Sequence, residues 1–290
     1  MIGSGPINLV TLRSFSVYES LKISNEAEVF IMKIKRSIYG GVRGEGSEYK
    51  FDYTYDYPED ILDIVPPRLY KTSKGGSTYW FGYEFKPDVS SKVRSDFIHY
   101  LKGLRDPSIG QSELEQFIDY PLIELNKSIS TYSIDCIVYP ISGRSNLVNQ
   151  ILKETTKYLS RDSAKCSFGL VKSAPVDIQF DWDLFELENS DNPNYDSMVS
   201  YIEDSIFPKI HKLDYFSLAR DVKPKYRKYI TNFLNFDEST LSKFQALHSK
   251  NILIVDDINT SGSTIDEIVR ILRKIDTDSR LFIFTLIGRG

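Results

Sequence analysis

The stretch from Asn251 to Val269, NILIVDDINTSGSTIDEIV, constrains the fold of this chain more than any other segment. Four consecutive apolar residues run into two aspartates, and a loop of Thr, Ser and Gly then precedes an amphipathic helical pattern. Such a short apolar run is typical of a buried strand in a parallel sheet. Because ligands bind outside the carboxyl ends of these strands, the segment predicts a ligand site at that edge of the sheet.

The second half of the chain repeats the same strand, loop and helix order. SIDCIVYPI predicts a strand, SGRS a loop and NLVNQILKETTKYL a helix, and RLFIFTLIG predicts a last strand after the Asn251–Val269 segment. Apolar strands that alternate with helices are typical of an α/β fold with a parallel sheet covered on both faces. We therefore expect one α/β domain over residues 131–290, with an insertion at about 161–248.

The first half has a different pattern, which predicts a separate α+β domain over residues 1–130. Residues 27–90 alternate as antiparallel strands do, with the Gly-rich run GGVRGEGS as a hairpin loop. Residues 90–129 change to a helical period, with Val93, Phe97, Leu101 and Leu104 at helical spacing and Ser90 or Ser91 as a cap. A second helix is predicted at residues 112–129, with Pro121 as a break or a kink. No role follows from this pattern alone.

Composition excludes several classes of protein. The 290 residues carry a net charge of −4, which argues against general attraction to nucleic acid. The two cysteines form no CxxC pair, and the three histidines lack metal-ligand spacing. No apolar run approaches the roughly 20 residues of a membrane span, and no signal peptide is visible. We expect a cytoplasmic protein with no membrane partner, and the oligomeric state is left open, a homodimer included.

The loop after the two aspartates has the chemistry of an anion site. Asp256 and Asp257 point to opposite faces of a strand, so they need not do the same work, and carboxylates accept hydrogen bonds from sugar hydroxyls. The loop offers four hydroxyl side chains, and the first amides of the following helix are unpaired. The alternative is a simple capped helix, which needs a single capping residue. The pattern favours a ligand with a phosphate beside a diol.

The same stretch resembles the signature of the type I phosphoribosyltransferases through Asp256, Asp257, Thr260, Ser261, Gly262 and Thr264, and departs from it at Asn259 and Ser263. The resemblance implies a parallel-sheet fold that binds phosphoribosyl pyrophosphate (PRPP). It also implies transfer of the phosphoribosyl group to or from a nitrogenous base. Asp256 and Asp257 would be the catalytic pair, holding ribose hydroxyls or waters on a Mg²⁺ cofactor. The 5-phosphate would lie on Asn259, Thr260, Ser261, Gly262, Ser263 and Thr264.

Two further segments are candidates for binding the pyrophosphate. The first is the loop of Ser142, Gly143, Arg144 and Ser145, which is otherwise an ordinary surface turn. The second is a basic stretch that contains Arg220, Lys223, Lys225 and Arg227. These cations would close over a polyphosphate, or else they form a solvated helix face.

The order of these segments over residues 132–290 resembles the ComF-like branch of the family, without the Cys-rich zinc module common there. The acceptor base is not specified by the sequence. Because the chain ends soon after its last strand, we expect any base-binding segment to come from the N-terminal half or the insertion. Two alternatives to catalysis stay open: a non-catalytic sensor of PRPP or a nucleotide, and a protein-interaction module that keeps a relict fold. Nucleic-acid binding through the basic stretch is a third and is disfavoured by the acidic balance.

Overall fold

The computed structural model describes residues 42–45, 48–51, 60–64, 78–129, 132–142, 145–159, 166–212, 216–259 and 262–288. Its strands are β1 Val42–Glu45, β2 Glu48–Phe51, β3 Leu62–Ile64, β4 Thr78–Phe85, β5 Cys136–Pro140, β6 Ser167–Lys172, β7 Gln179–Phe180, β8 Ile230–Thr231, β9 Leu234–Asn235, β10 Asn251–Ile258 and β11 Arg280–Gly288. Its α-helices are α1 Ser91–Leu101, α2 Gln111–Ile129, α3 Leu147–Tyr158, α4 Trp182–Asn189, α5 Tyr195–Tyr201, α6 Phe207–Lys212, α7 Leu218–Asp221, α8 Glu238–Leu247 and α9 Ser263–Ile275. Short 3₁₀ turns at Pro175–Asp177 and Pro224–Tyr229 and a π-helical turn at Ile202–Ile206 connect them.

Seven strands form the central sheet, in the order β3-β4-β11-β10-β5-β6-β9. The five inner strands run parallel, and the two outer strands are antiparallel to their neighbours. The predicted α/β class with a mostly parallel sheet is therefore confirmed. The strand order also shows why β10 is apolar over Ile252–Val255: parallel neighbours on both sides place it in the middle of the sheet.

The strands of the first half do not all behave as their pattern predicts. The predicted hairpin loop is wrong in its position, because β1 lies inside the run GGVRGEGS and pairs antiparallel with β2, with Glu45 opposite Glu48. β3 also pairs antiparallel with β4, but β4 itself runs parallel to β11. The boundary predicted near residue 130 thus does not separate two sheets in the described chain. Alternation shows that a segment is a strand, whereas the partner depends on distant sequence.

Two apolar cores lie on opposite faces of the sheet, and β10 contributes to both. Leu253 and Val255 face a core formed with α1, α2 and α3, whereas Ile252 and Ile254 face a core formed with α9 and the helices of residues 182–247. This alternation continues into the acid pair, because successive side chains of a strand point to opposite faces. It directs Asp257 towards the first core and Asp256 towards the second.

The helices of the first half follow their predicted boundaries closely. Ser90 caps α1 by accepting a hydrogen bond from the amide of Val93, as predicted. Leu104 lies beyond the end of α1 and is exposed, so its assignment to the helix was wrong. Pro121 does not interrupt α2, which continues to Ile129. None of the helices in the described part of the chain has the length and apolar character needed to cross a bilayer.

Candidate functional site

β5 and β10 are parallel neighbours, and the connections that follow their carboxyl ends lead to opposite sides of the sheet. After β5 the chain passes through α3, whose Leu147 and Ile151 pack in the first core, and continues to β6 on one side. After β10 it passes through α9, whose Ile265 and Ile268 pack in the second core, and continues to β11 on the other side. Because the two connections leave on opposite faces, a crevice opens between them, which is the usual ligand position in open α/β sheets.

A cavity of about 650 Å³ occupies this crevice. It is lined by the segments that follow β5 and β6, by the end of β10, by the start of α9, and by residues near Phe216 and Phe233. The lining residues are Lys102, Pro140, Ile141, Ser142, Val148, Lys172, Ser173, Ala174, Pro175, Ile178, Phe216, Ser217, Leu218, Phe233, Leu234, Asp256, Asp257 and Thr264. Its size falls within the range of small-molecule sites, and most of its wall is apolar.

The acids that line this cavity are Asp256 and Asp257, and both are buried. Asp256 is 6% exposed and Asp257 is 7% exposed. Oδ1 of Asp256 accepts a hydrogen bond of 2.8 Å from the backbone amide of Asp257. Oδ2 of Asp257 lies 2.7 Å from Nζ of Lys102. Buried carboxylates require partners of this kind, and the partners here differ between the two residues.

Lys102 is a site residue that the sequence analysis missed. It follows the last turn of α1, where its backbone amide donates to the carbonyl of Ile98 at 3.0 Å. Gly103 then takes a left-handed conformation with φ of 65°, which ends the helix and turns the chain away. A single lysine at a helix end carries no signal in the sequence, because its partner Asp257 lies 155 residues later.

Burial raises the pKa of Asp256 above the usual value for an aspartate, and the neighbouring Asp257 raises it further. The amide of Asp257 and the Lys102 ammonium act in the opposite direction. Asp256 also faces Thr285, its register partner on β11. On the same side lies Tyr79 of β4, whose own pKa is raised by burial and by the charges of Asp256 and Asp266.

The Tyr79 and Thr285 hydroxyls are buried beside this carboxyl group without a completed hydrogen bond. Neither oxygen has a partner of normal geometry within the described residues. They approach each other, and Tyr79 also approaches the Asn259 side chain. Buried hydroxyls in this condition are uncommon in folded proteins, so the polar side of the second core has unused donors next to Asp256.

The predicted 5-phosphate loop is described at both ends. Gly262 precedes α9 with a left-handed φ of 78°, and as the N-cap residue it has no side chain with which to cap the helix. Thr264 lines the cavity, Ser263 is buried, and Asn259 follows β10 directly. Thr260 and Ser261 lie outside the described residues. The start of α9 therefore presents the positive end of the helix dipole, which favours an anion.

The predicted pyrophosphate loop has a structural role at its described ends. Oγ of Ser142 accepts from the amide of Ser145 at 3.2 Å, and Oγ of Ser145 accepts from the amide of Leu147 at the start of α3. Ser142 lines the cavity, whereas Ser145 is buried behind it. Gly143 and Arg144 lie outside the described residues, so the role predicted for them stays a prediction.

The four predicted cations of the basic stretch do not line the cavity. Arg220 pairs with Asp221, and Nε of Arg227 donates to the carbonyl of Val222, where burial lowers its pKa. Lys223 and Lys225 lie over the rings of Tyr201 and Tyr226, at 4.1 and 4.7 Å from the ring centres. The contribution of this part of the insertion to the cavity comes instead from Phe216, Ser217 and Leu218.

Lys172 supplies the second ammonium of the cavity wall. It ends β6, and its Nζ donates to the carbonyl of Phe216 at 3.0 Å, which ties the insertion to the sheet edge.

A search of protein-family models finds no family that matches this chain, and no curated protein sequence matches it significantly. The fold and the cavity define an α/β protein whose mostly parallel sheet has a cavity with two buried aspartates at its carboxyl edge.

Proposed function

We propose that the cavity binds PRPP or a nucleotide that contains ribose 5-phosphate, and that the protein transfers the phosphoribosyl group to or from a nitrogenous base. The observation that carries this proposal is the place of Asp256 and Asp257. Both lie at the carboxyl end of β10, in the wall of the cavity that also receives the start of α9. The resemblance of residues 252–264 to the phosphoribosyltransferase signature supports the same ligand.

The polar part of the cavity suits a sugar phosphate. Carboxylate oxygens accept hydrogen bonds from two adjacent ribose hydroxyls, and the positive N-terminal end of α9 suits a phosphate. Asp256 and Thr264 line the same cavity, so a single ligand can reach both. Lys102 and Lys172 also line the cavity and add positive charge that suits a pyrophosphate.

The apolar part of the cavity suits the base. Its wall combines Ile141 and Val148 with four insertion residues, Ile178, Phe216, Leu218 and Phe233. Aromatic and branched side chains exclude water and pack against the faces of a planar heterocycle. In this proposal the insertion, one of the two segments expected to bind the base, forms the base-binding wall.

A divalent cation such as Mg²⁺ fits the donor set, because two adjacent carboxylates with oxygen ligands match its preference. Asp256 and Asp257 would hold it directly or through waters, and when bound it supplies charge neutralisation to the departing pyrophosphate. Among the described residues there is no group of three or more His, Cys, Asp or Glu side chains placed to hold a metal ion.

The chemistry follows from this placement. A nitrogen of the base attacks the ribose carbon, the new C–N bond forms, and the C–O bond to pyrophosphate breaks with the electron pair leaving on oxygen. Asp256 and Asp257 orient the ribose, the start of α9 holds its phosphate, and the apolar wall keeps water from the reacting carbon. Most of the rate would come from positioning and from charge stabilisation of the leaving group.

Calorimetric titration of the full chain with PRPP and Mg²⁺ tests the proposal. The double variant Asp256→Asn, Asp257→Asn should lose binding, whereas the control Asp191→Asn, which removes an exposed carboxylate away from the cavity, should keep it. Pyrophosphate release with a panel of bases then separates catalysis from sensing. Binding without release supports the non-catalytic sensor, and a folded wild-type protein that does not bind PRPP rejects the proposal.

A further inference from the structure

Lys102 reaches the acid pair from outside the segment that carries the phosphoribosyltransferase resemblance. It follows α1, and its side chain is 23% exposed, whereas that of Asp257 is 9% exposed. Both residues line the cavity, and their 2.7 Å ion pair closes part of its wall. This contact is therefore part of the proposed ligand site and is less screened by solvent than a pair on the outer surface.

The ammonium group occupies the place where a cation would approach Asp257. A divalent cation bound directly to Oδ2 would lie roughly 2.0–2.6 Å from that oxygen. Lys102 Nζ lies 2.7 Å from the same oxygen, so the two positive charges would be within a few ångströms of each other. Because the two positive charges repel each other in a partly buried site, the Lys102 ammonium and a divalent cation compete for Asp257.

Lys102 also has the means to move. It lies at the end of α1, next to the left-handed Gly103, and its ammonium is carried on a flexible four-carbon stem. The cavity that it borders is also lined by Ser142 and Thr264. A phosphate group placed in that cavity would give the ammonium a second anionic partner.

We propose that Lys102 is a competing counter-ion of Asp257. In the ligand-free protein it neutralises Asp257 and keeps free divalent cations from binding to the acid pair. When an anionic ligand enters, Lys102 turns to the phosphate oxygens and leaves Asp257 to the cation. Cation and anion then bind cooperatively, and each raises the affinity for the other by the same factor. The phosphate part of this inference rests on the proposed function, whereas the competition for Asp257 does not.

Manganese titration tests the competition, because the electron paramagnetic resonance signal of free Mn²⁺ reports binding without turnover. The full chain is titrated with Mn²⁺ alone and with Mn²⁺ plus inorganic pyrophosphate. The variant Lys102→Gln should bind Mn²⁺ alone about tenfold more tightly than the wild type, and the gain should vanish when Asp257→Asn is added. Pyrophosphate itself chelates Mn²⁺, so its effect is measured against protein-free solutions of the same Mn²⁺ and pyrophosphate concentrations. On that basis pyrophosphate should raise the Mn²⁺ affinity of the wild type strongly and that of Lys102→Gln much less.

Two further variants keep the test decisive. Lys102→Met retains an unbranched apolar stem and should behave as Lys102→Gln, so a folding defect of one neutral variant does not end the experiment. Lys153→Gln breaks an exposed ion pair with Glu115 that does not line the cavity, and it should leave Mn²⁺ affinity unchanged. Circular dichroism and thermal unfolding show which variants are folded.

Two results overturn the inference: a folded neutral variant that binds Mn²⁺ no better than the wild type, or a gain that persists after Asp257→Asn. A different result overturns only the movement of Lys102 to phosphate. In that result Lys102→Gln gains Mn²⁺ affinity through Asp257, but pyrophosphate raises Mn²⁺ affinity equally in the wild type and in the variant. The failure of the proposed function looks different. It is absence of PRPP binding by the wild type, with the Lys102→Gln gain in Mn²⁺ affinity intact.

Discussion

Asp256 lies opposite Thr285 in the parallel pairing of β10 with β11, and both side chains are buried on the same face of the sheet. One of these residues is a carboxylic acid at the end of an apolar strand, and the other is a hydroxyl without a hydrogen-bond partner in the described part of the chain. A polar pair in this place weakens the core, since burial of incompletely paired polar groups costs free energy. It also leaves hydrogen-bonding capacity at the cavity.

Replacement of Thr285 by Val should leave the stability of the ligand-free protein unchanged within about 0.5 kcal/mol or increase it. The substitution keeps the shape of the side chain and removes a hydroxyl that has no partner among the described residues. Ser279→Ala is the contrasting variant, because its hydroxyl bonds the carbonyl of Ser249 and the carboxylate of Asp276. It should destabilise by about 1 kcal/mol in urea unfolding. Equal losses in both variants would contradict the assignment of Thr285.

The contribution of Asp256 to stability should fall as pH rises above about 4, through the range between its unfolded and folded pKa values. Because the folded-state pKa is raised, the native protein holds a proton that the unfolded chain releases first. The contribution is therefore complete below the unfolded pKa and is lost as pH rises to the folded pKa. Asp256→Asn should flatten this part of the pH profile measured by thermal unfolding. A profile that is identical in the variant would contradict the raised pKa.

Gly262→Ala should destabilise the protein by about 1–2 kcal/mol. The residue has a φ of 78°, in the left-handed region that a Cβ disfavours. Its neighbours leave room for a methyl group, since the nearest atoms would be 3.7 Å away, so the cost comes from the backbone rather than from a clash. Gly262→Asn should cost less, because asparagine tolerates this conformation better. Chemical unfolding of the two variants measures the difference, and equal losses would point to a steric cause.

Gly82→Ala should destabilise the protein by about 2–3 kcal/mol, more than a typical surface substitution. A Cβ at Gly82 would lie 2.7 Å from the carbonyl oxygen of Leu286 and 2.7 Å from the Cβ of Pro121. The strand β4 is thus pressed between β11 and α2, and added volume there must shift the backbone. Gly110→Ala is the control, since its Cβ would meet only the end of the flexible Glu113 side chain. A neutral Gly82→Ala variant would contradict the packing of β4 against β11.

Local sequence was sufficient to predict the elements around the site. The apolar run before Asp256 and the amphipathic pattern of α9 each depend on neighbours within a few residues, and both appear as predicted. The cap of α1 by Ser90 is local in the same way. The place of the acid pair at the carboxyl edge followed from the strand itself, because an apolar strand in a parallel sheet delivers its last residues there.

Only the tertiary structure decided what surrounds the acid pair. Lys102, Tyr79 and the wall around Phe216 come from segments far from Asp256 in sequence, and no periodic pattern links them to β10. The parallel neighbour of β11 is likewise a strand of the first half, although alternation there predicted antiparallel pairing. The sequence by itself determined the strand β10 and the helix α9 that flank the acid pair, because side-chain period and helical hydrogen bonding act locally. The partners of Asp256 and Asp257 were decided by chain topology and packing, which depend on the whole chain at once.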